Sequence, residues 1–512
     1  MPNAVHFPKN RPPAIHSATK HNSMTTSPPN DRISRYLELS LPIMVAMTVL
    51  LSVLRISGYG YLPGDDALRH AAFAIDSRVW GDVVVLSNEI RPDVDVHPGW
   101  HAILRFLHQR AGLGADALVT FSYIFTFTLF GAAGLLGSRK PAAWAVALAL
   151  IAAVLWEMLG RQLLGRPFSI SISGTLLLLF LWNTAQDKPS WKLIVLTSLI
   201  LGLAIWVHST AWYLWIMVLA CIWLGNGAKA GRAFLASFAI GLLLACVLNG
   251  GCYNIIIYPI KHLWLSLAQD PLIVTSLAIE FRPNRFPLQA CGLVALILIS
   301  RQLTGVSRND RLFQPDFLLY ILGCILGLYV SRFWTDWGAA ALAVWICRQT
   351  VLLLEHLHLN RLRLWMLTAG ACSVVFLTVS ANIDGRYSGT QRSVLLTLPK
   401  DRLLPLMPTD RGVLYGNSMH FFYQLYWRFP ETKWRYLLGF EPAMMPPDEL
   451  RAFRIAQYNN GNFDPVYKSW AKQMTDDDRL MMYSDGEPNY PDMSFEAIGN
   501  QIWIGKVCRK LP

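Results

Sequence analysis

The chain has 512 residues, is 53% hydrophobic and carries 15% charged residues, against about 25% charged in an ordinary soluble protein. That balance excludes a soluble globular enzyme. Its 45 Lys and Arg exceed its 33 Asp and Glu, giving a formal charge of +12, so where those charges fall along the chain becomes the first question.

Residues 1–35 are rich in Pro, Ser, His and Asn without an apolar period, and read as a disordered cytoplasmic tail. The first apolar run, 36–56, starts late and ends without a small-x-small cleavage pattern, so it reads as a span and not as a signal peptide. Ten further runs approach the roughly 20 residues that a helix needs to cross a bilayer. They lie at 117–138, 141–159, 168–184, 191–208, 211–226, 233–250, 287–303, 316–333, 338–356 and 364–381.

Basic residues are retained on the cytoplasmic side of a membrane. Arg139 with Lys140, Lys188 with Lys192, Lys229 with Arg232, Arg301 with Arg308 and Arg311, and Arg361 with Arg363 all fall in loops of one parity. The surplus charge is thus largely a topology signal, not one for nucleic acid. The expected orientation has the N-terminus cytoplasmic and, after an odd number of spans, the C-terminal segment outside the cytoplasm, in the inner (plasma) membrane. Seven of the eight Cys lie in or beside the spans, only Cys508 lies in the tail domain, and no zinc spacing or disulfide framework is indicated.

Two regions have content of their own. The loop 57–116 opens with Tyr61-Leu62-Pro63-Gly64-Asp65-Asp66-Ala67-Leu68-Arg69-His70. Leu68, Ala71, Ala72 and Ile75 share one helical face while Asp66, Arg69, His70 and Phe73 share another, which predicts an amphipathic helix lying on the outer membrane surface. An Asp after Pro-Gly suits a helix cap. Two adjacent carboxylates beside Arg and His at the end of a span equally suit a catalytic pair.

Further on, Asp93, Asp95, His97 and His101 crowd into Asp93-Val94-Asp95-Val96-His97-Pro98-Gly99-Trp100-His101. Asp93, Asp95 and His97 are candidate ligands for a divalent ion such as magnesium or manganese. The alternative is a polar turn before a helix from Trp100 to His108. No cofactor is demanded by the sequence.

Basic residues in the outer segments need a reason, because the short outer loops otherwise avoid them. Arg161, Arg166, Lys261, His262, Arg282, Arg285 and Arg332 are the cases. Singly, each reads as snorkelling to lipid headgroups. Together with Arg69 and His70 they offer a cationic pocket for a lipid-linked phosphate.

The C-terminal segment, 382–512, alternates short apolar runs with helical patterns at 412–415, 419–428, 436–440 and 447–458, followed by strands at 480–483 and 502–507. That order predicts a small α/β domain outside the membrane. It holds no hydrolase nucleophile elbow and no P-loop, and the lone glycine of Tyr415-Gly416-Asn417-Ser418 is weak evidence for an anion site.

This pattern resembles the GT-C superfamily of integral-membrane glycosyltransferases: a cytoplasmic N-terminus, about eleven spans over 36–381, a long first outer loop with an acidic pair just after the first span, and an extracytoplasmic C-terminal domain. Asp65-Asp66 stands where those families keep their acidic motif. The resemblance implies transfer of a sugar, with inversion, from a polyprenyl-phosphate-linked donor to a glycan, lipid or protein acceptor on the outer face, with Asp65 or Asp66 as catalytic base. No nucleotide-binding fingerprint is then required. A flippase of lipid-linked sugars, a polysaccharide polymerase or ligase, and a non-catalytic assembly protein are the alternatives.

Overall fold

The computed structural model describes residues 29–76, 78–185, 189–261, 287–305, 313–459, 461–499 and 501–508. The expected tail lies mostly outside these residues, and the chain is already helical at Pro29, where α1 (Pro29–Gly58) begins. Apolar helices follow: α4 (Ala115–Ser138), α5 (Pro141–Val154), α6 (Trp156–Gln162), α7 (Phe168–Asn183), α8 (Trp191–Val207), α9 (Trp215–Asn226), α10 (Ala228–Leu248), α11 (Leu288–Thr304), α12 (Pro315–Gly327), α13 (Ala339–His356) and α14 (Arg361–Ser380). Between α1 and α4 the long loop carries α2 (Asp66–Ile75) and α3 (Pro98–Ala111).

Among the described residues five helices are long and apolar enough to cross a membrane, or six if the bent pair α5 and α6 is one span. The others of the expected set have only 10–17 residues. A helix rises about 1.5 Å per residue, so the 13 residues of α12 fall well short of a hydrocarbon core of about 30 Å. The sequence hides the α5–α6 break, because the 104° bend at Leu155 has no Pro or Gly to announce it. Exposed Leu39, Ile43, Leu199, Leu243, Leu296 and Leu377 line outward faces, as a membrane protein requires.

Helices in lipid gain little from burying apolar surface against one another, so their contacts favour small residues. α8 and α10 follow this rule, since a methyl group on Gly202 would stand 3.1 Å from the carbonyl of Gly241, and one on Gly241 would meet that of Ser198 at 3.0 Å. α5 lies along α14, α1 against α14 and α4, and α4 along α7. One ionic contact is set inside the bundle: Arg348 of α13 reaches fully buried Asp316 at 3.5 Å. At one end of the bundle, Lys140 meets Glu355 at 3.2 Å and Arg361 meets Glu38 at 3.0 Å, so basic loops gather there.

Beyond α14 stands a small mixed sheet. β1 (Val413–Gly416), β2 (Arg435–Tyr436), β3 (Arg479–Tyr483), β4 (Met493–Ala497) and β5 (Ile502–Val507) take the order β2-β1-β3-β5-β4. The β2-β1-β3 part is parallel and the β3-β5-β4 part antiparallel. α15 (Met419–Arg428) links β1 to β2, and α16 (Pro447–Tyr458) with α17 (Asp464–Gln473) links β2 to β3. β1, α15, α16, β3 and β5 stand where the sequence places them, whereas α17 and β4 are additional.

The expected surface helix is a correction. α2 buries Ala67 through Ala74, its polar face included, between α3 and α4 on one side and α15 on the other. The amphipathic period is real, but its second face is covered by α3, by Trp80 of the loop and by the C-terminal domain instead of by water. The junction continues past α2. Asp76 binds Arg78 at 2.7 Å and accepts from the Tyr426 hydroxyl at 3.0 Å. Val84 pairs with β2, its successor Val85 donating to Tyr436 at 2.9 Å, so the first long loop extends the sheet edge. Trp80, fully buried, stacks on Phe73 at 4.0 Å and abuts Phe440 at 4.6 Å.

Candidate functional site

α2 starts at Asp66, and Asp65 precedes it as the capping residue, yet the Asp65 side chain makes no capping hydrogen bond. It turns instead to Arg166, whose Nη2 donates to Asp65 Oδ2 at 2.7 Å and whose Nη1 lies 3.6 Å from Asp66 Oδ2. Arg166 is aimed by its neighbour. Gly165 has φ +65°, and a methyl group there would stand 3.0 Å from the backbone nitrogen of Tyr123, so the turn between α6 and α7 needs a glycine. One turn into α2, Arg69 Nε donates to Asp66 Oδ1 at 2.7 Å. Its guanidinium is buried and rests 4.1 Å from the Phe440 ring. Phe440 belongs to the C-terminal domain, as does His420, whose Nδ1 lies 3.2 Å from the Gly64 carbonyl. The acidic pair is therefore roofed by that domain while its carboxylates keep 18% and 19% of their side-chain surface exposed.

A second ionic group adjoins the first. Arg161 Nη2 meets Asp336 Oδ1 at 2.6 Å, and Arg332 Nε meets Asp336 Oδ2 at 3.2 Å. Asp336 sits in a π-helical turn, Phe333–Gly338, that opens α13; such turns are frequent at functional sites. The two groups share a wall, since Arg161 and Arg166 both lie over the Phe168 ring, at 4.2 and 5.8 Å. Five of the sequence-predicted phosphate-binding residues, Arg69, His70, Arg161, Arg166 and Arg332, thus come to one end of the bundle. Lys261 is exposed at the limit of the described residues, and His262, Arg282 and Arg285 lie outside them. The end that holds the site is opposite to the one with the basic loops at Lys140 and Arg361.

Behind the acidic pair runs a line of imidazoles. Asp95 lies 2.9 Å from His101 Nδ1, and His101 Nε2 lies 2.8 Å from His70 Nδ1. A carboxylate only accepts, so His101 carries its proton on Nδ1 and presents a lone pair at Nε2. His70 must then donate from Nδ1, which leaves the lone pair on its own Nε2. That atom is buried and has no hydrogen-bond partner among the described residues. The same holds for His97 Nδ1, whose ring stacks 5.4 Å from His208. His208 Nδ1 in turn lies 3.0 Å from Ser171 Oγ.

Burial lowers His70 and His97 well below the ordinary imidazole range, with the Arg69 charge adding to it. His101 is lowered by burial too, against the pull of Asp95. Asp95 would be raised by burial, but His101 prevails and holds it low. The line is accordingly a carboxylate followed by neutral rings.

The expected metal set does not assemble as written. Asp93 faces solvent, where burial is slight and the Arg91 hydrogen bond lowers it, while Asp95 and His97 turn inward. Among the described residues no group of three or more His, Cys, Asp and Glu side chains is arranged to hold a metal ion. Sequence reading passed over His208 and Ser171 and missed Asp336 as the shared partner of two arginines. The Thr335-Asp336 step between the apolar runs 316–333 and 338–356 was the available signal. No family model matches the chain, and no curated protein matches its sequence.

Proposed function

We propose that the protein is a membrane glycosyltransferase of the GT-C type, moving a sugar from a polyprenyl-phosphate-linked donor to an acceptor. The observation that carries this reading is the pairing of Asp65 and Asp66 with Arg166 and Arg69 at the mouth of an apolar helical bundle. A donor with a polyprenyl tail reaches such a site from the bilayer. The N-terminus is cytoplasmic in this reading and the C-terminal domain extracytoplasmic, because the basic loops at Lys140 and Arg361 mark the retained side.

In the reaction the acceptor hydroxyl oxygen bonds to the anomeric carbon as the bond from that carbon to the phosphate oxygen breaks. Asp66 takes the hydroxyl proton, and Arg166 and Arg69 orient its carboxylate. The lipid phosphate leaves with both electrons of the broken bond. Arg161 and Arg332, held in place by Asp336, stabilise that charge. Attack from the face opposite the phosphate inverts the anomeric centre.

The test is sugar release from radiolabelled polyprenyl-phosphate sugars by the full chain in lipid nanodiscs. Asp66→Asn is expected to abolish transfer while insertion and the unfolding midpoint stay unchanged. Full activity in the purified variant overturns the assignment.

A further inference from the structure

The C-terminal domain contains a cavity that the acidic site does not use. β1 sits between β2 and β3, and the chain leaves it through α15 toward β2 but reaches β3 by crossing back through α16 and α17. The strand order reverses between β1 and β3. In open sheets with parallel strands, ligands bind outside the carboxyl ends of the strands at such a switch point. An open cavity of about 440 Å³ lies there, lined by Asn417 just after β1 and by Tyr483 at the end of β3. Its size is that of a small-molecule site, for which about 300 to 1,000 Å³ is usual.

The lining defines the ligand. Asn417, Asn462 and Asn489 supply neutral amides, each able to donate and to accept. The Asn417 Oδ1 atom is shielded from solvent and has no hydrogen-bond partner among the described residues. Asp464 and Lys468 are the charged lining groups and offset each other. Asp464 is oriented by the Tyr490 hydroxyl, which donates to it at 2.6 Å. The Tyr483 ring is 47% exposed and braced from behind by Phe421, whose ring centre is 4.7 Å away. Paired donors and acceptors with no net charge, beside an open aromatic face, match a molecule that has many hydroxyl groups and an apolar C–H face.

We propose that this cavity is a carbohydrate-binding site for a neutral oligosaccharide. Its position relative to the acidic pair is close. Asn417 precedes His420 by three residues, and His420 touches the carbonyl of Gly64. Three residues span at most about 11 Å. The Asn417 edge of the cavity is thus within about 11 Å of chain from the residue that touches the loop before Asp65. The role of a bound oligosaccharide as the acceptor rests on the glycosyltransferase reading, whereas the binding itself does not.

The experiment is saturation-transfer NMR on the full chain in nanodiscs, with a panel of short neutral and anionic oligosaccharides and hydrophilic peptides of matched size. A neutral oligosaccharide is expected to bind. Tyr483→Ala and Asn462→Ala, both at exposed positions, should each weaken it about tenfold or more, a change of about 1.4 kcal/mol, at an unchanged unfolding midpoint. Absence of any bound oligosaccharide, binding confined to anionic sugars or peptides, or unchanged binding in both variants overturns the proposal. Asp66→Asn separates it from the chemistry. That variant should bind the oligosaccharide as the parent does, so a failed transfer assay leaves the cavity assignment standing and a failed binding assay leaves the acidic pair standing.

Discussion

Arg166 and Asp65, 101 residues apart in the chain, meet at 2.7 Å and fix the turn between two helices to the start of a third. The same guanidinium reaches Asp66. Arg166→Ala removes that bridge, so the two carboxylates repel each other and Asp65 loses its 2.7 Å contact, while Arg69 still holds Asp66. The expected result is a fall in kcat/KM of about 100-fold or more, the usual scale for losing a preorganised charge partner. Arg166→Lys should recover only part of it, because an ammonium cannot bridge two carboxylates as a planar fork does. Transfer kinetics with varied donor concentration decide this. Activity within a few fold of the parent in the alanine variant counts against the site.

Arg161→Ala should behave differently. Arg161 touches Asp336 and lies over the Phe168 ring. Its loss is expected chiefly to raise the KM for the lipid-linked donor by about tenfold, and to leave the unfolding midpoint close to that of the parent. A change in kcat alone, with donor KM unaffected, would remove the phosphate role.

Asp95 is a positioning residue. It sets the proton on His101 Nδ1 and, through His101, the lone pair on His70 Nε2. Asp95→Asn permits the opposite tautomer. We expect about a tenfold loss in kcat, with donor KM unchanged and an altered pH profile. An unchanged pH profile, or a loss matched by unfolding, would show a merely structural role.

Much of this arrangement was legible as residue types but not as pairs. The apolar stripe of α2 and the strand periods of β1, β3 and β5 are local, and the structure keeps them. The second face of α2 is shared between α3, Trp80 and the C-terminal domain, and one anchor of that domain, Tyr426 on Asp76, lies 350 residues further on. No local period carries that information. Asp65 looked equally like a cap, because Arg166 is remote in sequence. α17 and β4 were not expected because each is short: Val466, Tyr467 and Trp470 hold a helical face for barely one turn, and Met493 and Phe495 alternate with Ser494 and Glu496 over only five residues, and their faces are completed only by the sheet they join.

Three lowered imidazoles make stability depend on pH. His70, His97 and His101 hold their protons less tightly in the native state than in the unfolded chain, where histidine titrates near about 6.5. Below that value the unfolded state binds more protons. Stability is therefore complete above about pH 6.5 and is lost as pH falls through it toward the native values. Each ring contributes a slope of up to about 1.4 kcal/mol per pH unit. Thermal unfolding in nanodiscs should show a midpoint that is level at neutral pH and declines on acidification, with a shallower decline in His97→Gln. A midpoint that rises on acidification would contradict neutral buried rings.

The junction of loop and C-terminal domain should be the weakest point under mutation. Asp76 is 5% exposed and serves both Arg78 and the Tyr426 hydroxyl. Removing the carboxylate strands a guanidinium that is itself mostly covered, and breaking such a pair costs about 3 to 5 kcal/mol when burial is complete. Arg78 retains about a fifth of its surface, 21%, which lets water recover part of that cost, so about 2 kcal/mol is expected for Asp76→Ala. Tyr426→Phe removes a single hydrogen bond to a charged group and should cost about 1.5 kcal/mol. Because the acidic pair is roofed by Phe440 and His420, both variants should lose transfer activity in proportion to undocking. Limited proteolysis within 382–412 reads the undocked fraction directly. Equal cleavage rates in parent and Asp76→Ala protein would show that the domain is held by its apolar contacts alone, with Trp80 and Phe73 as the next residues to change.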